Sequence, residues 1–167
     1  MDTFKDIRPY KDSEVTEVVQ SLVSSPSVLK ALMGLQFPGL VSKLPFMKFF
    51  VKQKLISKAK TINTISDYQM LFKSLMEKVI QESISSFTVN GLDKLSADDS
   101  YLFISNHRDI TLDAALLAFK LHQSNFQTFN IAVGNNLMEE TWASDLFRLN
   151  KSFIIQRSGA SKKEIYS

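Results

Sequence analysis

The chain has 167 residues, 44% hydrophobic and 22% charged, with five glycines, four prolines and a net charge of +3. That length and composition exclude a disordered or low-complexity chain and allow a globular domain with a real core. With no cysteine there are no disulfides or thiolate metal sites, which suits a reducing compartment, and two histidines far apart offer no metal-ligand spacing.

Met1–Lys11 reads as irregular, with Pro9 and Tyr10 lying against the body. It lacks the charged, apolar and small-residue succession of a secretory signal, and no window holds eighteen uninterrupted apolar residues. Neither a cleaved targeting peptide nor a spanning helix is therefore expected. A helix starts at Asp12 or Ser13, with Val15, Val18, Val19, Leu22 and Val23 on one face, and Ser24-Ser25-Pro26 ends it. Pro26 suits the first turn of a second helix, which Gly34 and Phe37-Pro38-Gly39 break.

Between Glu17 and Asp67 there is no acidic residue, while Lys30, Lys43, Lys48, Lys52, Lys54, Lys58 and Lys60 are interleaved with Leu40, Val41, Leu44, Phe46, Met47, Phe49, Phe50, Val51, Leu55 and Ile56. Two readings stand side by side. One is an interfacial element, with apolar groups in the headgroup boundary and lysines on anionic lipid; the other is a buried helix with solvated lysines. Nucleic acid fits less well, because Phe46-Met47-Lys48-Phe49-Phe50 is too apolar for a phosphate-tracking surface.

Thr64 or Ser66 starts a longer helix to about Glu82, whose stripe of Tyr68, Leu71, Phe72, Leu75, Met76, Val79 and Ile80 is core. Phe87–Val89 is a short strand candidate and Asn90-Gly91 a turn. Tyr101–Ile104 is bulky and β-branched without a polar interruption, as in a strand buried on both faces. From Thr111 the residues Leu112, Leu116 and Phe119 recur at helical spacing. The polar cluster Asn106, His107, Arg108, Asp109 and Asp113 thus falls on a strand-to-helix turn, the place where α/β sheets bind ligands and where helix N-termini favour anions.

The chemistry that suits this cluster is general-base activation of a hydroxyl. A neutral His107 accepts the proton, and a carboxylate, Asp109 or Asp113, fixes its tautomer and stabilises the imidazolium. The competing reading is a structural histidine beside an aspartate N-cap. Downstream, His122 lies in a polar turn with Asn125 and is expected on the surface; Phe129–Val133 is a strand, Asn136–Arg148 a helix closed by Asn150, and Phe153–Ile155 the last strand. Trp142 reads as a packing anchor, and Ser161 as the cap of a further helix.

Ser105–Leu117, with Asn106-His107 and Asp113 ahead of an apolar helix, resembles the first signature of the PlsC-like glycerolipid acyltransferases. The family places four residues between His and Asp; here there are five. Setting the extra residue in the turn keeps Asp113 at its helix start, so Asp113 is preferred and Asp109 is the alternative. Asn150–Arg157 resembles the next signature, an apolar strand ending in an arginine that binds the acceptor's phosphate.

The resemblance implies an α/β fold: a helical, basic, membrane-apposed portion over residues 1–86, then the first part of an acyltransferase sheet with flanking helices over 87–167. It also implies acyl transfer from acyl-CoA or acyl-ACP to a hydroxyl of a glycerol-phosphate lipid precursor at the cytoplasmic membrane surface. His107 would be the base, Asp113 its partner, and Arg157 with Arg108 the phosphate ligands. Attack on the thioester would be direct, with no metal and no cofactor beyond that cosubstrate. The family's third and fourth signatures have no match up to Ser167. The chain is therefore expected to be the amino-terminal part of a longer enzyme, inactive by itself and with apolar surface exposed at an unpaired sheet edge. The alternative is a non-catalytic membrane-binding module on a degenerate acyltransferase scaffold. A hydrolase using Ser105 lacks the glycines of a nucleophile elbow, and the kinase-like His107-Arg108-Asp109 lacks its asparagine, Ala114 standing there.

Overall fold

A computed structural model describes residues 2–36, 45–106, 108–109 and 112–156. The Phe37-Pro38-Gly39 break, the 40–44 part of the basic stretch, His107, Thr111, Arg157 and the helix expected from Ser161 lie outside the described residues. The fold is mixed α/β and mainly helical, with six α-helices and a sheet of two parallel strands among the described residues. In chain order these are α1 (Asp12–Ser24), α2 (Pro26–Gln36), α3 (Pro45–Ala59), α4 (Ile65–Ser83), α5 (Leu112–Gln123), β1 (Ile131–Gly134), α6 (Thr141–Leu149) and β2 (Ser152–Ile155). Contacts divide the chain into two compact units, one of Met1–Tyr68 and Ala132–Ser167, the other of Gln69–Ile131.

In the first unit α1 packs on α2, α3 and α6, and Val15, Val19 and Leu22 are buried on its inner face. Burying a Val or Leu side chain contributes about 1.5–3 kcal/mol each, which is why this face is the valine- and leucine-rich one. Capping differs from expectation. The N-cap of α1 is Lys11, whose N–H donates to Glu14 Oε2 at 2.8 Å. Asp12 instead turns its carboxylate to another helix, accepting the Ile65 N–H at 2.8 Å at the start of α4. Thr64 completes that start: its Oγ1 accepts from Asp67 N at 3.1 Å, and Asp67 Oδ2 accepts from Thr64 N at 2.9 Å. This reciprocal pairing satisfies amides that have no partner within the helix.

Residues 2–10 are tied down, and Tyr10 lies against the body as expected. Its hydroxyl donates to Asp145 Oδ1 at 2.6 Å and its ring lies 4.1 Å from the guanidinium carbon of the buried Arg148. Burial, reinforced by the bond to Asp145, pushes the Tyr10 hydroxyl up to about 12. Arg8 pairs with Glu14 at 2.7 Å and with Asp2 at 2.7 Å. The Arg8 hydrogen bond, against some burial, holds the Glu14 carboxyl down at about 2. A carboxylate lowered in the folded state stabilises it above the unfolded value near 4.5 and loses that contribution as pH falls toward 2. The urea midpoint is expected to drop across that window, and Glu14→Gln to remove this part of the drop. Identical acid profiles for the two proteins would refute the pairing.

β1 and β2 are joined through α6, the long crossover that parallel strands require. The single helix expected over 136–148 is instead a 3₁₀ turn at Asn135–Leu137 followed by α6, with Met138 buried between them and Asn135 Nδ2 donating to Gln156 Oε1 at 3.0 Å. β1 starts at Ile131 rather than Phe129, and β2 coincides closely with the expected last strand. Asn150 follows α6 as its C-cap, and Trp142 is half-buried. No described helix is long and apolar enough to cross a membrane.

In the second unit α4 and α5 share a core of Met76, Ala115 and Phe119, against which Phe72, Ile80, Phe87, Leu112 and Leu116 pack. The α4 stripe is core only in part, since Leu75 is half exposed. Gly91 takes φ +85° with open space around its α-carbon, so the backbone angle alone calls for glycine. Neither expected strand here forms. Phe87 is drawn into the helical core, and Tyr101–Ile104 runs without a strand ladder. Phe103 packs on Phe129 at 5.5 Å, while Leu102 and Ile104 are 85% and 88% exposed. The segment is thus covered on one side only; a strand needs a paired neighbour to be buried on both, and the only described ladder joins β1 to β2.

Candidate active site

Asn106, Arg108 and Asp109 precede α5 and Asp113 stands in its first turn, but the strand expected ahead of them does not form. The apolar side of α5 anchors the cluster: Leu112, Ala115, Leu116 and Phe119 pack toward Phe72, Met76 and Ile80 of α4, fixing the helix start that follows the turn. Asp109 acts as a cap, its Oδ1 accepting the Leu112 N–H at 2.7 Å. Asp113, in the first turn of α5, folds back: its Oδ2 accepts the N–H of Arg108 at 2.7 Å and of Asp109 at 2.9 Å. Two carboxylates therefore hold the turn from both ends, Asp109 reaching forward and Asp113 reaching back. Charge-assisted bonds of this kind are roughly twice as strong as neutral ones.

Of the residues singled out from sequence, Arg108, Asp109 and Asp113 come together here, with Arg108 and Asp109 exposed and Asp113 half-buried. Asn106 is exposed and precedes the turn; Ser105 Oγ donates only a long bond of 3.4 Å to the Asn106 carbonyl. His107 and Arg157 lie outside the described residues. His122 is half-buried rather than fully on the surface, because it lies in the last turn of α5, between the buried Leu121 and the polar turn where Asn125 takes φ 62°. Among the described residues no group of three His, Cys, Asp or Glu is placed to hold a metal ion.

The double amide contact of Asp113 had no signature in the sequence, where its spacing from His107 suggested a partner for the imidazole and nothing more. The geometry adds that this carboxylate shapes the backbone that immediately follows position 107. Chemically, the turn offers carboxylates and one guanidinium at the amide end of a helix, where negative charge is favoured. A carboxylate there can orient a base, and Arg108 can meet an anionic group with a planar fork of donors.

Comparison with known proteins agrees with the sequence reading. A family model described as Acyltransferase matches residues 86–167, which include the whole turn, α5, β1, α6 and β2. No curated protein and no solved structure matches the chain.

Proposed function

We propose, from the premise that this chain belongs to the acyltransferase family through residues 86–167, that the transferred group is a fatty acyl chain and the acceptor a glycerol-phosphate lipid precursor. Transfer of acyl groups is what the family supplies; the donor, acceptor and residue roles are this reading's own. The donor is an acyl-CoA or acyl-ACP thioester. His107 removes the acceptor's hydroxyl proton as the oxygen attacks the thioester carbonyl; the new C–O bond forms, the C–S bond breaks, and the imidazolium returns the proton to the leaving thiolate. Asp113 orients His107, with Asp109 as the alternative. Arg108 is assigned to the acceptor's phosphate, as is Arg157 from the second signature. Residues 87–167 then supply the first part of the catalytic sheet, residues 1–86 the helical portion that meets the membrane, and the enzyme works on the cytoplasmic face without spanning it.

The observation that carries the assignment is the fold-back of Asp113 onto the Arg108 and Asp109 amides. It favours Asp113 over Asp109, whose Oδ1 caps the start of α5, a bond that asparagine can replace at little cost. In the intact protein, Asp113→Asn is expected to lower turnover by about 10²-fold, the scale associated with misplacing a reacting group by an ångström. Asp109→Asn is expected to change it far less. The assay follows thiol release from an acyl thioester in the presence of a lysophosphatidate-type acceptor. The reverse order of the two variants would pass the role to Asp109. No transfer by the intact wild-type protein would favour the non-catalytic membrane module, of which the five-residue spacing would then be the mark.

A further inference from the structure

The parallel strands β1 and β2 bring their carboxyl ends side by side, the place in an α/β sheet where ligands are met. Just past those ends two side chains 21 residues apart in sequence join: Asn135 Nδ2 donates to Gln156 Oε1 at 3.0 Å. Asn135 is half-buried and opens the 3₁₀ turn after β1, where its carbonyl accepts the N–H of the buried Met138 at 3.0 Å. Gln156 is exposed and directly follows β2. The bond therefore runs from an anchored backbone to an exposed strand end. β2 is held on its other edge as well. The Ile154 N–H donates to the Ile7 carbonyl at 2.8 Å, and Arg148 grips the same amino-terminal segment at the carbonyls of Lys5 and Arg8. An exposed bond between two neutral amides adds little to stability, because water offers each the same partner. Its use is to fix direction.

The next residue in the chain is Arg157, assigned above to the acceptor's phosphate. We infer that Asn135 is a positioning residue for acceptor binding: through Gln156 it holds the backbone from which Arg157 springs, so that the guanidinium meets the phosphate without first ordering the end of β2. A guanidinium binds phosphate as a planar fork, and two parallel N–H donors reach two oxygens only when fork and anion are aligned. An arginine on a loose strand end has to order that end as the ligand arrives, and the cost is taken from affinity. Holding the preceding residue in advance removes part of that cost, which is how a supporting side chain sharpens a site it does not touch. The inference deepens the acyl-transfer reading and rests on its assignment of Arg157 to the acceptor's phosphate. It adds the neighbour that aims the arginine.

The test is calorimetric titration of the intact protein with glycerol 3-phosphate, in the absence of any thioester. Wild type should bind it, and Arg157→Gln should lose most of the affinity. Asn135→Ala and Gln156→Ala should each weaken binding by about fivefold, the scale of one net hydrogen bond. The double variant should bind no more weakly than either single one, because both substitutions remove the same bond. In steady-state transfer Asn135→Ala should raise the acceptor KM and leave kcat and the thioester KM unchanged, a split that general loosening of the fold would not give. The outcomes separate the inference from the reading on which it rests. No binding by wild type, or wild-type affinity in Arg157→Gln, overturns the acceptor assignment and the inference with it. Loss in Arg157→Gln beside wild-type affinity in Asn135→Ala overturns the inference alone. So does additive loss in the double variant, or an Asn135→Ala defect that falls on kcat and both KM values together with a lowered urea midpoint.

Discussion

His107→Ala in the intact protein is expected to lower acyl-transfer turnover by about 10²–10⁴, the contribution usually made by a positioned general acid–base. The expectation follows from the reaction: a lipid hydroxyl is a poor nucleophile at neutral pH, and its attack on a thioester becomes fast only if its proton leaves as the bond forms. His107 directly precedes Arg108, whose amide donates to Asp113 Oδ2 at 2.7 Å, so the residue proposed as base adjoins a backbone position that Asp113 holds. With the base removed, the acceptor KM should change little, because proton transfer is a transition-state interaction. A variant that keeps the wild-type turnover would remove His107 from the mechanism, and with it the reason to assign Asp113 an orienting role.

Arg148→Met is expected to destabilise the first unit by about 3 kcal/mol, measured as a lowered urea midpoint at unchanged slope. Arg148 is 8% exposed, near the end of α6. Its Nε donates to the Arg8 carbonyl at 2.8 Å, one terminal nitrogen donates to the Lys5 carbonyl, and the other to the Tyr10 hydroxyl at 3.3 Å. The Tyr10 amide returns a bond to the Arg148 carbonyl, and Ile154 of β2 donates to the Ile7 carbonyl at 2.8 Å. Methionine fills much of the volume but leaves two carbonyls without donors, each costing about 1–3 kcal/mol, and forfeits the stacking on Tyr10, about 0.5–2 kcal/mol. The freed amino-terminal segment would recover part of that sum by opening to water. Arg148→Lys, which keeps one donor group but not the planar fork, should fall between the two. A midpoint equal to wild type would mean that residues 2–10 contribute nothing to the unit.

The site was legible in the sequence to the extent that it is local. A turn, its polar residues and the following apolar helix lie within Ser105–Leu117, and a carboxylate near a helix start is recognisable because helices leave amides unsatisfied there. Which carboxylate does what was not legible. Asp109 and Asp113 are the same residue type a few positions apart, and only their bonds distinguish the one that caps from the one that folds back over the turn. The same holds for Asp12, expected to cap its own helix and found capping α4. Arg148 carried no signal, because burial of a charged residue is decided by the distant carbonyls that come to meet it.

By itself the sequence determined helices α1, α2, α4 and α5, the last strand, the acid-free lysine stretch and the match of residues 86–167 to the acyltransferase family model, since each is written in near-neighbour periodicity, capping chemistry or contiguous motif. Tertiary structure decided that two other apolar runs do not become strands. Tyr101–Ile104 and Phe87–Val89 have strand composition, yet a strand is made by its neighbour, and the described ladder joins only β1 and β2. Tertiary structure also decided that Phe49 and Phe50 face outward while Ala59 faces in, because burial depends on what the rest of the chain brings to each side of a helix.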